Sequence, residues 1–534
     1  MKQSRRDFLR QSAAVSGLLG TASLIKPGLL MANSNVEDQF DDYKAVVVLM
    51  LHGGNDSLNM ILPTAESGEG GFNYDNYANA RGLNEPQHQS ILVANNPLEL
   101  SHYFSGDRLI DNPYATSGGI INQYRYGHFP LAHKGIPAGV NSLMPELAKL
   151  IEDDKCSLIA NVGTLLQPLS KTDYKDSPAS RPPFLFSHNN QRRMMQTGKG
   201  DDLHMMGWGG HIVDRWTMDQ DINAGSLINM SISYGGNNRL LMGNDSTGLV
   251  LPTGKMVVHK HAGQDNNPDR YSFGDGFQAL NNQTDGDIFT RLFRRMNQNA
   301  YNKLYAISDA LNGSGDLFNG VSDSYGNALF SDPNNESNAT GLPGGADTKV
   351  VKQIEALSKM IALSARSSNE GGFGAKRQIF YIQMNGFDTH GSQATRHAGL
   401  LRGLSLALDK FQRAMESQGL GDKVTLMTTS DFGRTVRSNG DGTDHAWGAQ
   451  QLVLGGALNS NRMVGTLPDL ALGSDSDVSG KGRMLPTTAY DQLCASVCNW
   501  WGVSDEEMPE IFPNLLNFSA DGTVAGSYLD LFKT

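Results

Sequence analysis

The chain has 534 residues, with 44 Lys or Arg against 55 Asp or Glu, for a formal charge of −11. That acidity disfavours nucleic acid and anionic membrane surfaces as partners, while a local metal or arginine field would still attract an anionic substrate. Three cysteines are too few for a disulfide framework, and no stretch past the N-terminus is apolar and long enough to span a bilayer.

At the N-terminus, Ser4-Arg5-Arg6-Asp7-Phe8-Leu9-Arg10 leads into a weakly apolar run, Ala13 to Ile25, and then to Leu30-Met31-Ala32, a cleavage region. Paired arginines before Phe-Leu resemble the twin-arginine export signal of bacteria. Residues 1–32 are therefore expected to be handled by the twin-arginine translocation machinery and removed, leaving a periplasmic or secreted protein without a membrane anchor. They hold five basic and one acidic residue, so their loss takes the charge from −11 to −15. Residues 33–43 form an acidic tail, and 44–534 suit one large α/β domain with insertions near 64–140 and 216–348.

Lys44 to Leu51 is a buried strand feeding Gly53-Gly54, a tight loop whose amides can face an anion. Tyr74 to Pro137, rich in Asn, Gly and Tyr, is an insertion, and Cys156 enters a strand over Ser157 to Val162. Gly207-Trp208-Gly209-Gly210 begins a helix-like segment, Asn237 to Thr284 reads as loop or β insertion, and 311–348 as irregular chain. Val350, Ile354, Leu357 and Ile361 mark a helix, Gln378 to Met384 a strand, and Leu401, Leu404, Leu408, Phe411 and Met415 the apolar stripe of a helix over His397 to Gln418, with charged residues on its other face. Val424 to Thr429 and Gln451 to Leu454 are further strands. Cys494 and Cys498 sit four apart on a helix, Tyr490 to Trp501, as buried core thiols.

Three polar islands punctuate this last third: Gly386-Phe387-Asp388-Thr389-His390, Ser430-Asp431-Phe432-Gly433-Arg434 and Gly442-Thr443-Asp444-His445. The first two follow strands joined by a crossover helix, so Asp388 and Asp431 should emerge on one edge of the sheet, where open α/β sheets hold ligands. Asp with neutral His is a ligand set that borderline divalent metals accept, which makes Asp388, His390, Asp431 and His445 candidate ligands. Asp431 before Gly433 serves equally as a turn or cap residue.

The islands, together with Leu51-His52-Gly53-Gly54-Asn55-Asp56-Ser57-Leu58-Asn59, Phe186-Ser187-His188-Asn189-Asn190, Pro486-Thr487-Thr488 and Phe512-Pro513-Asn514-Leu515, resemble the family described as domain of unknown function 1501. That family in turn resembles the alkaline phosphatase, sulfatase and cofactor-independent phosphoglycerate mutase superfamily. The resemblance implies an alkaline-phosphatase-like three-layer α/β sandwich with a mostly parallel central sheet and large loop insertions. It also implies divalent metal, zinc or manganese, and hydrolysis of a phosphate, sulfate or related ester in an anionic small molecule or polymer. His52 stands where the superfamily has a carboxylate ligand, with Asp56 four residues on as its replacement, while Phe432 stands where a His is expected. Ser187 is the nucleophile candidate, or else the cap of a helix; Arg192, Asn55 and Arg434 are assigned to substrate binding. The run Ser177-Pro178-Ala179-Ser180-Arg181 lacks the proline of the sulfatase nucleophile motif. A binding or assembly protein on the same scaffold is the alternative.

Overall fold

The computed structural model describes residues 40–65, 70–82, 91–110, 119–199, 206–218, 221–254, 256, 271–331, 347–460 and 463–533; the expected export signal, residues 1–32, and residues 33–39 of the acidic stretch lie outside them. The fold is built around β1 (Lys44–His52), whose run of Val, Leu and Met is buried from Ala45 to Leu51. Such unbroken apolar strands belong in a parallel sheet covered on both faces. Alternation divides β1 between two cores: Ala45, Val47, Leu49 and Leu51 face one, Val46, Val48 and Met50 the other.

The other strands of this nine-stranded sheet are β2 (Cys156–Gly163), β3 (Ser231–Ser233), β4 (Leu249–Val250), β5 (Arg377–Asn385), β6 (Val424–Ser430), β9 (Ala449–Leu454), β10 (Met463–Val464) and β11 (Thr488–Ala489). Between β6 and β9 lies a separate antiparallel pair, β7 (Arg434–Ser438) and β8 (Thr443–His445). The sheet order is β10-β2-β9-β6-β1-β5-β3-β4, with β11 beside β2. β1 pairs in parallel with both β5 and β6; only β9 runs against its neighbours. The sheet is thus mostly parallel, as the sequence implies.

Helices cover both faces. The first core takes α1 (Pro145–Glu152), α5 (Lys349–Ala365) and α6 (Gln393–Ser417). The second takes Met195 of α2 (His188–Thr197), α3 (Trp208–Met218) and α7 (Tyr490–Trp501). Cys156, Cys494 and Cys498 are all buried and unpaired.

One expectation needs correction. The segment 237–284, expected as loop or β insertion, contains the helix Tyr271–Asn281 as well as β4, and a 26-residue helix, α4 (Ile288–Gly313), follows it. The polar face of α6 is not solvated: Arg402 pairs with Glu146 and Lys410 with Asp323, all four side chains at most 2% exposed. α1 and the insertion that carries Asp323 supply these partners, so the charges of that face are matched internally.

Burial also holds two histidines neutral. His128 and His397 are both depressed to about pKa 4, in each case mainly because the interior disfavours the imidazolium. An unfolded histidine titrates near 6.5, so between roughly pH 6.5 and 4 the unfolded chain binds protons that the folded chain refuses. Stability is therefore expected to fall as pH is lowered through that window, by up to about 3 kcal/mol per histidine. Denaturant unfolding of wild type and His128→Gln from pH 7 to 4.5 checks this: the variant should show the shallower slope, and parallel slopes would contradict it.

Candidate metal centre

The carboxyl ends of β1, β5 and β6 deliver the polar islands to one edge of the sheet. Gly53 has φ +119°, and a Cβ there would lie 2.3 Å from the Asp388 amide nitrogen, so only glycine lets the loop after β1 pass so close to the loop after β5. Beyond β6, the β7–β8 pair sets Arg434 opposite His445. The start of α2 brings in His188 from the far side of the sequence.

Three donor atoms converge. His188 Nε2 and His445 Nε2 are 3.0 Å apart, and Asp388 Oδ1 lies 3.5 Å from the first and 3.4 Å from the second. His390 Nε2 stands at the edge of this group, 2.8 Å from His445 Nε2, 3.2 Å from Asp388 Oδ1 and 3.5 Å from Arg434 Nη1. A tetrahedral ion with bonds of about 2.0–2.1 Å has donor-to-donor edges of roughly 3.3 Å.

Each ring has an acceptor on its outer side. His188 Nδ1 is 2.8 Å from Asp431 Oδ2, His445 Nδ1 is 2.9 Å from the Phe186 carbonyl oxygen, and His390 Nδ1 is 3.3 Å from Asp444 Oδ1. Carboxylates and carbonyls accept, so a neutral ring that donates from Nδ1 turns its Nε2 lone pair inward. Lone pairs facing one another at 2.8–3.0 Å repel unless a cation lies between them. Burial lowers the His445 pKa, and the charges of His188, Arg434 and His390 lower it further against the Phe186 hydrogen bond. Partial burial would raise the Asp388 pKa, but the Arg434 guanidinium and the adjoining imidazoles outweigh it and bring the carboxyl to about 2. Imidazole nitrogens beside a carboxylate are a donor set that suits zinc or manganese, and the acceptors behind the rings are what such ligands require.

Asp431 is therefore not among the converging atoms. It is 1% exposed, its Oδ2 accepts from His188 and the Gly53 amide, and its Oδ1 is buried without a hydrogen-bond partner. A cation held by His188 would offset this buried charge. The Gly53 amide thus faces a carboxylate of the protein itself.

Four other assigned residues are engaged elsewhere. Asp56 is fully buried against Arg81, with both carboxylate oxygens 2.8–3.0 Å from Nη2 and a further bond from Gln393, so it is closed off as a ligand. His52 turns Nε2 to the Arg192 guanidinium, and burial, outweighing the attraction of Asp431, lowers its pKa. Asn55 is fully buried, its Oδ1 2.9 Å from His397 Nε2, which removes it from any substrate surface. Arg434, 3% exposed, spends its donors on the carbonyls of Gly53, Gly54, Phe387 and Thr443 and on Asp388. It braces the loops instead of reaching for substrate.

Ser187 occupies the cap position of α2, but its side chain makes no capping bond. Arg192, half-buried, also donates to Asn189 Oδ1 at 3.1 Å and lines a polar cavity. Phe432 is buried with its ring 4.6 Å from the His188 ring and 4.7 Å from that of His445, an apolar wall behind both.

The sequence assigned His188 no role as a ligand. Its only local signal is its place beside Ser187 at the mouth of a helix; its partners stand 200 or more residues away.

Residues 363–495 match a family described as "Protein of unknown function (DUF1501)", a span that contains all three islands but neither the glycine loop nor His188. No curated protein matches the chain.

His188→Ala is expected to abolish one-to-one retention of zinc or manganese, and His52→Ala to keep it. Asp431→Asn, which can present an amide N–H to Nδ1 and so favour the wrong tautomer, should weaken metal binding 10- to 100-fold. Chelator competition measures all three; a His188→Ala protein that holds metal like wild type would overturn the assignment.

Proposed function

We propose that the chain is an exported metal-dependent hydrolase of phosphate, sulfate or related esters, built on an alkaline-phosphatase-like scaffold. The observation that carries this is the inward convergence of imidazole nitrogens and the Asp388 carboxylate at the carboxyl edge of a mostly parallel sheet. The leader carrying Arg5 and Arg6 supports export by the twin-arginine route, with a folded, metal-loaded protein as cargo.

His188, Asp388 and His445, with His390 at the exposed side, would hold the ion. A divalent cation there supplies Lewis acidity toward an ester oxygen and acidifies a neighbouring hydroxyl or water. Asp431, the Phe186 carbonyl and Asp444 keep the rings in the binding tautomer. Arg483 steadies the same wall, donating to the His445 carbonyl at 2.8 Å and stacking over the Phe186 ring at 4.2 Å. The Ser187 hydroxyl, next in sequence to His188 and free of a capping bond, supplies the attacking oxygen in this reading.

Phe432 favours a second reading. A phenyl ring stands where the superfamily pattern has a His ligand, which supports one ion instead of two and suits a metal-stabilised binding protein.

One experiment separates the two. With zinc or manganese loaded, the hydrolase should turn over an activated aryl phosphate or sulfate; His445→Ala should lose both metal and turnover, and Ser187→Ala turnover alone. Wild type holding stoichiometric metal but inert across a broad ester panel would be a binding protein, and wild type that retains no metal would defeat both readings.

A further inference from the structure

A cavity of about 370 Å³ opens between α2, the loop after β3 and β5. Arg192 and Arg193 of α2 and Arg239, from the loop after β3, line it together with amide side chains and Tyr381 and Gln383 of β5. Among the described residues no acidic one lines it. Three guanidinium groups around one cavity reverse the sign of a chain whose net charge is −11, and such a concentration of planar donors suits an oxyanion.

The cavity belongs to the same sheet edge. Gln383 is five residues before Asp388, and Arg192 joins the two places, since it lines the cavity while its guanidinium meets His52 at the end of β1. Arg193 is exposed and has no hydrogen-bond or ion-pair partner among the described residues. The volume lies within the roughly 300–1,000 Å³ of small-molecule sites.

We propose that this arginine-lined cavity binds a second anionic group, a sulfate, phosphate or carboxylate, of the ligand whose ester reaches the metal centre, so that the substrate is at least a dianion. The dianion as substrate rests on the hydrolase reading; oxyanion capture by the cavity does not.

The test uses metal-stripped full-length mature protein, so the metal centre contributes nothing. Inorganic sulfate, titrated by calorimetry at constant ionic strength with chloride as counter-ion, should bind one to one. Arg193→Gln and Arg239→Gln should each weaken it at least tenfold, the loss expected for one charge-assisted hydrogen bond. Arg193 is exposed, so its replacement tests binding without risk to the core. An aryl monoester bearing a second sulfate should bind the stripped protein at least tenfold tighter than the same ester without it. No saturable sulfate binding, or binding unchanged in both variants, overturns the site. Sulfate binding with no gain from the second group overturns its role as a substrate subsite and leaves a free-anion site. A protein that hydrolyses no ester yet passes the sulfate test loses the hydrolase reading alone.

Discussion

The architecture of the centre depends on one buried cation. Arg434 is 3% exposed, and burial, despite the opposing pull of Asp388, lowers its pKa, yet a guanidinium remains charged at any ordinary pH. It is tolerable there because its donors are matched: Gly53 and Gly54 from the loop after β1, Phe387 and Asp388 from the loop after β5, and Thr443 from β8. Three segments far apart in sequence are thus fixed to one rigid plane. Lysine would replace five directed donors by a point charge and leave buried carbonyls unmatched. The same contact keeps Asp388 ionised, as a metal ligand must be.

Beneath this plane lies an uncharged clamp. Gln393 Oε1 accepts from the hydroxyls of Thr389 at 3.1 Å and Thr443 at 2.7 Å, and its amide nitrogen is held by Asp56. Thr389 lies between Asp388 and His390, and Thr443 is two residues before His445. Asp56, itself locked by Arg81, therefore acts on the ligands through Gln393 without approaching them. A carboxylate that a sequence pattern offers as a ligand is a support two bonds removed.

This explains what was legible in the sequence. The strands 44–52, 377–385 and 424–430 and the helices 349–365, 393–417 and 490–501 were readable because each is a local period of apolar residues, with ends displaced by a few residues at most. Strand ends then gave the right neighbourhood for Asp388, His390 and His445. Side-chain roles were not readable, because which atom turns inward is decided by partners across the fold. Asp431 and His52 lie at the correct edge yet face His188 and Arg192, and Asn55 faces His397. His188 stayed hidden since no period or motif spacing ties α2 to the islands.

The segment that delivers His188 shows how the centre and the fold support each other. Phe184 and Phe186 have φ of +55° and +68°, a left-handed backbone that costs an aromatic residue about 1–3 kcal/mol. Such strain persists only where the surroundings over-determine it. Here the Phe186 carbonyl is held by His445, its ring by Arg483, and the next turn by the His188–Asp431 bond. Those bonds also point two lone pairs at each other across 3.0 Å, which is unfavourable in an empty site. In the proposed reading, a cation bound by the inward nitrogens would offset that repulsion.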